Sequence, residues 1–197
     1  FTFVPSPELV QLYDFTESNV NNRGDLRLRF YYEYMRDFSS PLMEFKIKYG
    51  IRREYTAETN YPIKGMRVAE LYLNRAEANM RRYLQNGEER LRVSALTDLN
   101  FLRSSRYDTR NVEYKDVDYS GDDLLTFYKE ERRRELAFED HRWFDLRRYG
   151  MPEITHVYQG SESEIPATYV LPQGSDRYVL PIPRSVLDKN YNLEANP

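Results

Sequence analysis

The stretch ERRRELAFEDHRWFDLRRYG, residues 131–150, constrains this chain more than any other. It crowds six Arg and five Asp or Glu into twenty positions, together with the only tryptophan, Trp143, and one of the two histidines, His141. A helical run leads into it from residue 122. If Leu124 and Tyr128 are extended by helical steps, the stripe meets Glu131, Glu135 and Phe138. If Leu125 and Tyr128 are extended, it meets Arg132, Glu135, Leu136 and Glu139. A solvated helix keeps its charges on the face opposite its apolar stripe. Here both stripes run into charge, so Glu131, Arg132 and Glu135 are expected to be at least partly buried. Buried charges must be paired and hydrogen-bonded. Arginine suits that task because its planar fork meets a carboxylate with two bonds.

The competing reading is a catalytic carboxylate cluster, since Glu131, Glu135 and Glu139 share one face at four-residue spacing. Arginine neighbours three or four positions away lower carboxylate pKa values, which is wrong for a general acid. The stretch is therefore read as a structural ion network of Glu131, Arg132, Glu135, Arg142 and Asp145, with Trp143 and Phe144 as aromatic anchors for a short second helix. A nucleic-acid grip is disfavoured by the interleaved Glu residues and by a net charge of -3.

The rest of the chain reads as one domain over residues 1–197. With 40% hydrophobic and 31% charged residues it has a globular balance. It has no cysteine, which excludes disulfides and thiolate metal sites. The opening FTFVPSPELV has no basic start and no long apolar run. That leaves a cytoplasmic protein, or a mature or truncated form of a longer one. Residues 1–65 are expected to hold a strand pair and loops. Ser6 caps a short helix with Pro7 at its first position. LRLRFYYEYM and MEFKIKYG alternate with period two, as antiparallel strands do. Residues 66–105 form a helix hairpin. Ala69, Leu73, Ala76, Met80 and Tyr83 line one helix, Leu91, Ala95, Leu99 and Leu102 the other, and Gly87 is the left-handed cap between them. Residues 106–149 are a polar loop and two helices, from about 122 to 139 and 141 to 149. Residues 150–197 are an extended loop, a short strand and a proline-rich tail. The fold class is thus mainly α: a tetratricopeptide-like helix pair, further helices, a small antiparallel strand pair and long irregular loops.

Few other motifs carry chemistry. DVDYSGDD resembles the start of a calcium loop through Asp116, Asp118, Ser120 and Gly121, but its twelfth position is Phe127 instead of Glu. A turn with Ser120 and Asp123 as a capping pair is the simpler reading. His141 and His156 lack ligand-spaced partners, so no metal and no cofactor is expected. The chain carries 18 tyrosines. Tyr31 and Tyr34, by position in the aromatic string, and Tyr55 and Tyr107, by loop composition, are candidate ligand contacts.

Four motifs in order, MRVAELYLNRAEAN, ALTDLNFLRSSR, ERRRELAFEDHRWFDLRRYG and LPIPRSVLDKNYNLEANP, resemble the C-terminal half of the SusD/RagB family. The resemblance implies a cell-surface, outer-membrane binding lipoprotein and not an enzyme. It implies an oligosaccharide ligand, or a peptide in RagB-like members, handed to a TonB-dependent transporter of the SusC type. It implies a scaffold of four tetratricopeptide-like helix pairs, with residues 66–105 as the last. The N-terminal half and its lipid-bearing cysteine would lie outside this chain, leaving no other membrane contact. A helical scaffold for the transporter, without ligand contact from this half, is the alternative. Asp140 stands where the family has Gly, and Asp tolerates the left-handed backbone such a break needs.

Overall fold

The computed structural model describes residues 5–14, 24–37, 46–52, 65–109, 113–158 and 165–196. The chain forms two compact units, residues 1–139 and 140–197. The first unit is mainly helical. Ser6 caps α1 (Pro7–Gln11), its side chain accepting from the Leu9 amide, with Pro7 at the first turn. A two-residue strand, β1 (Gly24–Asp25), leads into α2 (Arg27–Tyr31) and then β2 (Tyr32–Asp37). β2 pairs antiparallel with β3 (Lys46–Arg52), Tyr34 lying opposite Tyr49.

The strand pair thus forms, but not from Leu26. Residues 27–31 are helical, although Leu and Arg alternate through them. The alternation misleads because Arg27 itself is buried, 1% exposed, so polar and apolar do not mark outer and inner faces there.

The hairpin of α3 (Val68–Asn86) and α4 (Glu89–Ser104) follows its periodicity closely. Ala69, Leu73, Ala76 and Met80 are buried on α3, and Leu91, Ala95, Leu99 and Leu102 on α4. The alanines let the helices approach. Gly87 ends α3 in the left-handed region at φ 72°, where its amide bonds the Tyr83 carbonyl. Two buried carboxylates sit in this hairpin: Asp98 meets Arg75 (2.6 Å), and Glu77 meets Arg81 (2.7 Å) and accepts from Tyr128 Oη (2.7 Å).

β4 (Tyr107–Asp108) pairs with β1, Gly24 opposite Asp108 and Asp25 opposite Tyr107. α5 (Gly121–Glu135) then crosses α3 and ends four residues before the expected 139. Its first turn carries Ser120 at the cap position, but with no side-chain cap bond, so the expected Ser120–Asp123 capping pair is not made. The early stop has a physical cause. Helix ends leave carbonyls without partners. Here Tyr13 Oη donates to the Arg134 carbonyl (2.9 Å) and Arg67 Nη2 to the Glu135 carbonyl (2.9 Å). Phe138 and Asp140 then take left-handed φ values of 62° and 64°, which turns Ala137 into a core cluster with Leu9, Tyr13 and Leu28.

The second unit contains α6 (His141–Arg148), an antiparallel hairpin of β5 (Ile154–Tyr158) and β6 (Ala167–Leu171), a 3-10 turn over Asp176–Tyr178, and α7 (Arg184–Leu187). The hairpin replaces the extended loop expected at the start of the 150–197 segment. Both of its faces are largely exposed, so neither strand shows the polar and apolar contrast that announces a half-buried one. The short strand expected before the proline-rich tail, at YVL (178–180), is absent. Ser175 caps the 3-10 turn instead and draws Tyr178 fully inside.

Gly24 sits at φ 43°, and a Cβ there would lie 2.4 Å from the Asp14 carbonyl oxygen. That carbonyl accepts from the Asp25 amide at 2.9 Å and cannot retreat without losing the bond. Gly24→Ala is therefore expected to lower stability by about 1–3 kcal/mol. Urea unfolding checks this; an unchanged midpoint would refute the assignment.

Candidate functional site

The first unit is organised around buried Arg27. Its Nε and Nη2 grip Asp25 (3.0 and 2.7 Å), and its Nη1 reaches Glu131 (2.7 Å) and Glu135 (3.2 Å). Helical spacing places Glu131 and Glu135 one turn apart on α5, facing the same guanidinium. Glu131 also accepts from Arg134 Nη2 (2.9 Å). Glu135 takes bonds from Arg106 (2.8 Å), Arg67 (3.0 Å) and Tyr31 Oη (3.2 Å). Arg67 continues to Glu139 with a two-bond fork (3.0 and 2.8 Å). Glu131 and Glu135 are both 0% exposed.

Burial on its own would raise the Glu131 carboxyl. Arg27 and then Arg134 beside it outweigh that and hold it at about 2. Burial likewise opposes ionisation of Glu135, but the Arg106 hydrogen bonds and the nearby charge of Arg27 hold it below the usual carboxylate range. Neither group retains a proton near neutral pH, so neither can act as a general acid there. Burial, followed by the Glu135 charge, pushes the Tyr31 phenol up to about 12, which keeps it a donor.

Arg132 is buried too, but its Nη1 donates to Asn74 Oδ1 (3.0 Å). Arg142 and Asp145 belong to the second unit. Asp145 is buried and accepts from Arg148 (2.7 Å), while Arg142 is exposed. Trp143 stacks on Tyr178 (ring centres 5.0 Å apart) and donates from Nε1 to the Tyr178 carbonyl (3.2 Å). Phe144, expected as the second anchor, is 57% exposed, so Tyr178 and not Phe144 packs with the tryptophan. The Tyr178 hydroxyl in turn donates to the Pro152 carbonyl.

The candidate ligand tyrosines are placed as follows. Tyr31 ends a helix, so strand parity does not govern it, and its hydroxyl is spent on Glu135. Tyr34 lies on β2, and Tyr55 lies outside the described residues. Tyr107, on β4, packs edge-on against Tyr114 (5.2 Å) and receives a bond from Arg103 (3.0 Å). The Arg103 guanidinium lies 5.1, 5.5 and 5.4 Å from the ring centres of Tyr107, Tyr114 and Phe127. Among the described residues its Nε and Nη1 have no hydrogen-bond partner, and the aromatic rings, with the Glu131 carboxylate 3.9 Å from Nε, supply its attraction instead.

Beside this cluster the segment 113–120 folds back along α4. Asn100 ties it down, accepting from the Val117 amide (2.9 Å) and donating to the Val117 carbonyl (3.0 Å). Arg92 bonds Asp118 (2.5 Å) and the Tyr119 carbonyl (3.0 Å). Asp118, one of the residues through which DVDYSGDD resembles the start of a calcium loop, is thereby engaged by a guanidinium. Among the described residues no group of three or more His, Cys, Asp or Glu side chains is arranged to hold a metal. Between the segment and α4 an open groove of about 460 Å³ remains, lined by Val93, Thr97, Phe101, Ser104, Asp116 and Val117 among others. Phe101 is 54% exposed and leans on Tyr72 at 4.9 Å. An aromatic edge bordered by hydroxyls and a carboxylate offers both an apolar contact and hydrogen bonds to a polyhydroxylated ligand. Sequence reasoning missed this groove because Asn100 and Val117 show no pattern until the loop has closed on them.

The SusD family model matches residues 11–197, and the chain belongs to that family. A SusD-like carbohydrate binding protein from Bacteroides vulgatus ATCC 8482 has a similar structure, with a TM-score of 0.56 and 22% sequence identity. The match covers 97% of this chain and 41% of that one, so this chain spans about two fifths of its neighbour's length. The likeness establishes a shared, mainly α fold. A comparison with curated proteins finds no match. Among the described residues, no helix is long and apolar enough to cross a membrane.

Arg27→Leu leaves Asp25, Glu131 and Glu135 buried around a missing cation, and is expected to cost about 3–5 kcal/mol of stability in urea unfolding. The pH dependence has a definite sign. Both carboxyls have folded-state pKa values below their unfolded ones. Their contribution is complete above the unfolded value of about 4.3. It is lost as pH falls toward about 2, the Glu131 value. Stability measured from pH 7 to 2 should stay level to about 5 and then fall. A level profile down to pH 2 would contradict the buried frame.

Proposed function

We propose that this chain is part of a cell-surface protein that binds oligosaccharide and passes it to a TonB-dependent outer-membrane transporter of the SusC type. It binds its ligand and does not transform it. Membership of the SusD family carries the reading. The carbohydrate-binding description of the Bacteroides vulgatus neighbour supports the choice of ligand class. The groove along α4 adds a place for contact: Phe101 for the apolar face of a sugar ring, Thr97, Ser104 and Asp116 for its hydroxyls. The residues of the ionic frame take no part in this except to hold α4 and α5 in place. Lipid anchoring on the outer face of the outer membrane belongs to the same proposal.

A second reading has its own observation. Met66 (80% exposed), Val68 (68%) and Leu71 (52%) follow one another into and along α3, and Leu71 is a sequence neighbour of Tyr72, on which Phe101 leans. Apolar residues so placed favour a scaffold role, covered by another helix or by a partner protein. A peptide ligand of the RagB kind would use the same apolar contacts.

Isothermal titration of the protein with oligosaccharides and with peptides separates these. If the groove binds sugar, Phe101→Ala weakens oligosaccharide binding about tenfold, which is about 1.4 kcal/mol. Leu71→Glu should leave it unchanged. If the scaffold reading holds, Leu71→Glu removes self-association in light scattering and Phe101→Ala has no effect on glycan affinity. Binding of peptides alone would assign the chain to the peptide branch.

A further inference from the structure

The β5–β6 hairpin has an unusual division of residues. Its register pairs Ile154 with Leu171, His156 with Tyr169 and Tyr158 with Ala167, so these six side chains share one face, with the aromatic residues at its outer end. The other face carries Thr155, Val157, Thr168 and Val170. Tyr158 is 52% exposed and Tyr169 60%, and His156 is exposed beside them. In an antiparallel pair, Tyr158 and Tyr169 are diagonal neighbours roughly 7 Å apart. Ala167, opposite Tyr158, is too small to cover its ring.

These rings differ from the tyrosines that are built into the first unit and the Tyr178 turn. The hydroxyls of Tyr13, Tyr31, Tyr107, Tyr114, Tyr128 and Tyr178 all hold internal hydrogen bonds. Among the described residues, Tyr158 and Tyr169 make no ring contact and no side-chain hydrogen bond. A lone two-stranded hairpin gains little stability from exposed aromatic rings. The rings are large, stiff and amphipathic, which suits binding, since little side-chain entropy is lost when they are covered.

We propose that this face of the hairpin, built from Tyr158, Tyr169 and His156, is a stacking platform for a neutral oligosaccharide. The two strands ITHVY and ATYVL contain no Asp, Glu, Lys or Arg, so the face carries no permanent charge to favour a charged ligand. Two phenol rings present flat apolar surface to the C–H faces of adjacent sugar rings. Their hydroxyls and the imidazole supply the hydrogen bonds that a wholly apolar protein-docking patch would lack. The platform rests on the carbohydrate-binding reading above and extends it to a second surface, on the other unit of the chain.

The test is affinity electrophoresis and calorimetry of the intact chain with a panel of neutral glycans: malto-, cello-, xylo- and manno-hexaose and the corresponding polysaccharides. Y158A/Y169A should weaken binding to the recognised glycan at least about tenfold, with an unchanged circular dichroism spectrum because both side chains are exposed. Y158F/Y169F, which keeps the rings, should recover most of the affinity. V157S/V170S, on the opposite face, should leave it within about twofold. Unaltered affinity in Y158A/Y169A overturns the platform while leaving glycan binding in place. An equal loss in V157S/V170S also overturns it, since hairpin integrity and not one face would then matter. No binding of any glycan by the unaltered chain overturns the carbohydrate reading and the platform together.

Discussion

Arg27 holds the first unit together. Its guanidinium is 1% exposed and bonds three carboxylates: Asp25, two positions away, and Glu131 and Glu135, more than a hundred positions on. An isolated guanidinium in that position would be prohibitive, and so would Glu131 and Glu135 without it. Their mutual neutralisation fixes α5 against the 24–31 segment, and Arg106 and Arg67 bring the end of α4 and the start of α3 to the same carboxylate. Four chain segments are thereby held at one point. The left-handed break after α5 follows from the same contacts, since Arg67 occupies the Glu135 carbonyl and then Glu139 beyond it.

This frame sets the limits within which a ligand surface can form. α4 is fixed on one side by its packing on α3 and at its end by Arg106 and the aromatic-caged Arg103. Its remaining side is free to receive the 113–120 segment, which Asn100 anchors with bonds to both the amide and the carbonyl of Val117. The groove is what remains between a rigid helix and a clamped loop. A recognition surface carried on rigid elements loses little entropy when it binds.

Legibility from sequence divides along physical lines. The α3–α4 hairpin was readable, apart from half-buried Tyr83 and the buried carboxylates Glu77 and Asp98, because its burial pattern is otherwise apolar and periodic, and because Gly87 supplies the one backbone conformation the turn requires. The burial of charge on α5 was readable because charges interrupt an apolar stripe. The partners were not. Arg27 and Asp25 lie in an alternating segment whose pattern says strand, and only the tertiary fold brings them to Glu131. The β5–β6 hairpin was invisible because both of its faces are wet, and Tyr178 because its burial comes from a turn that Ser175 caps. The groove depends on Asn100, whose local sequence gives no hint of a loop clamp.

The length of the ties to Arg27 has a consequence for how the chain assembles. The bond from Arg27 to Glu131 joins residues 104 positions apart, whereas α3 and α4 meet across a link of two residues. Closing a long loop costs more entropy than closing a short one, and nothing is gained until it is closed. The helix hairpin is thus the nucleus that can form by itself, and the ionic frame is a late clasp. Until the clasp shuts, Glu131 and Glu135 stay hydrated, and α5 keeps two charges on the side it must later bury. The residues that make the finished unit rigid are the same ones that delay its completion.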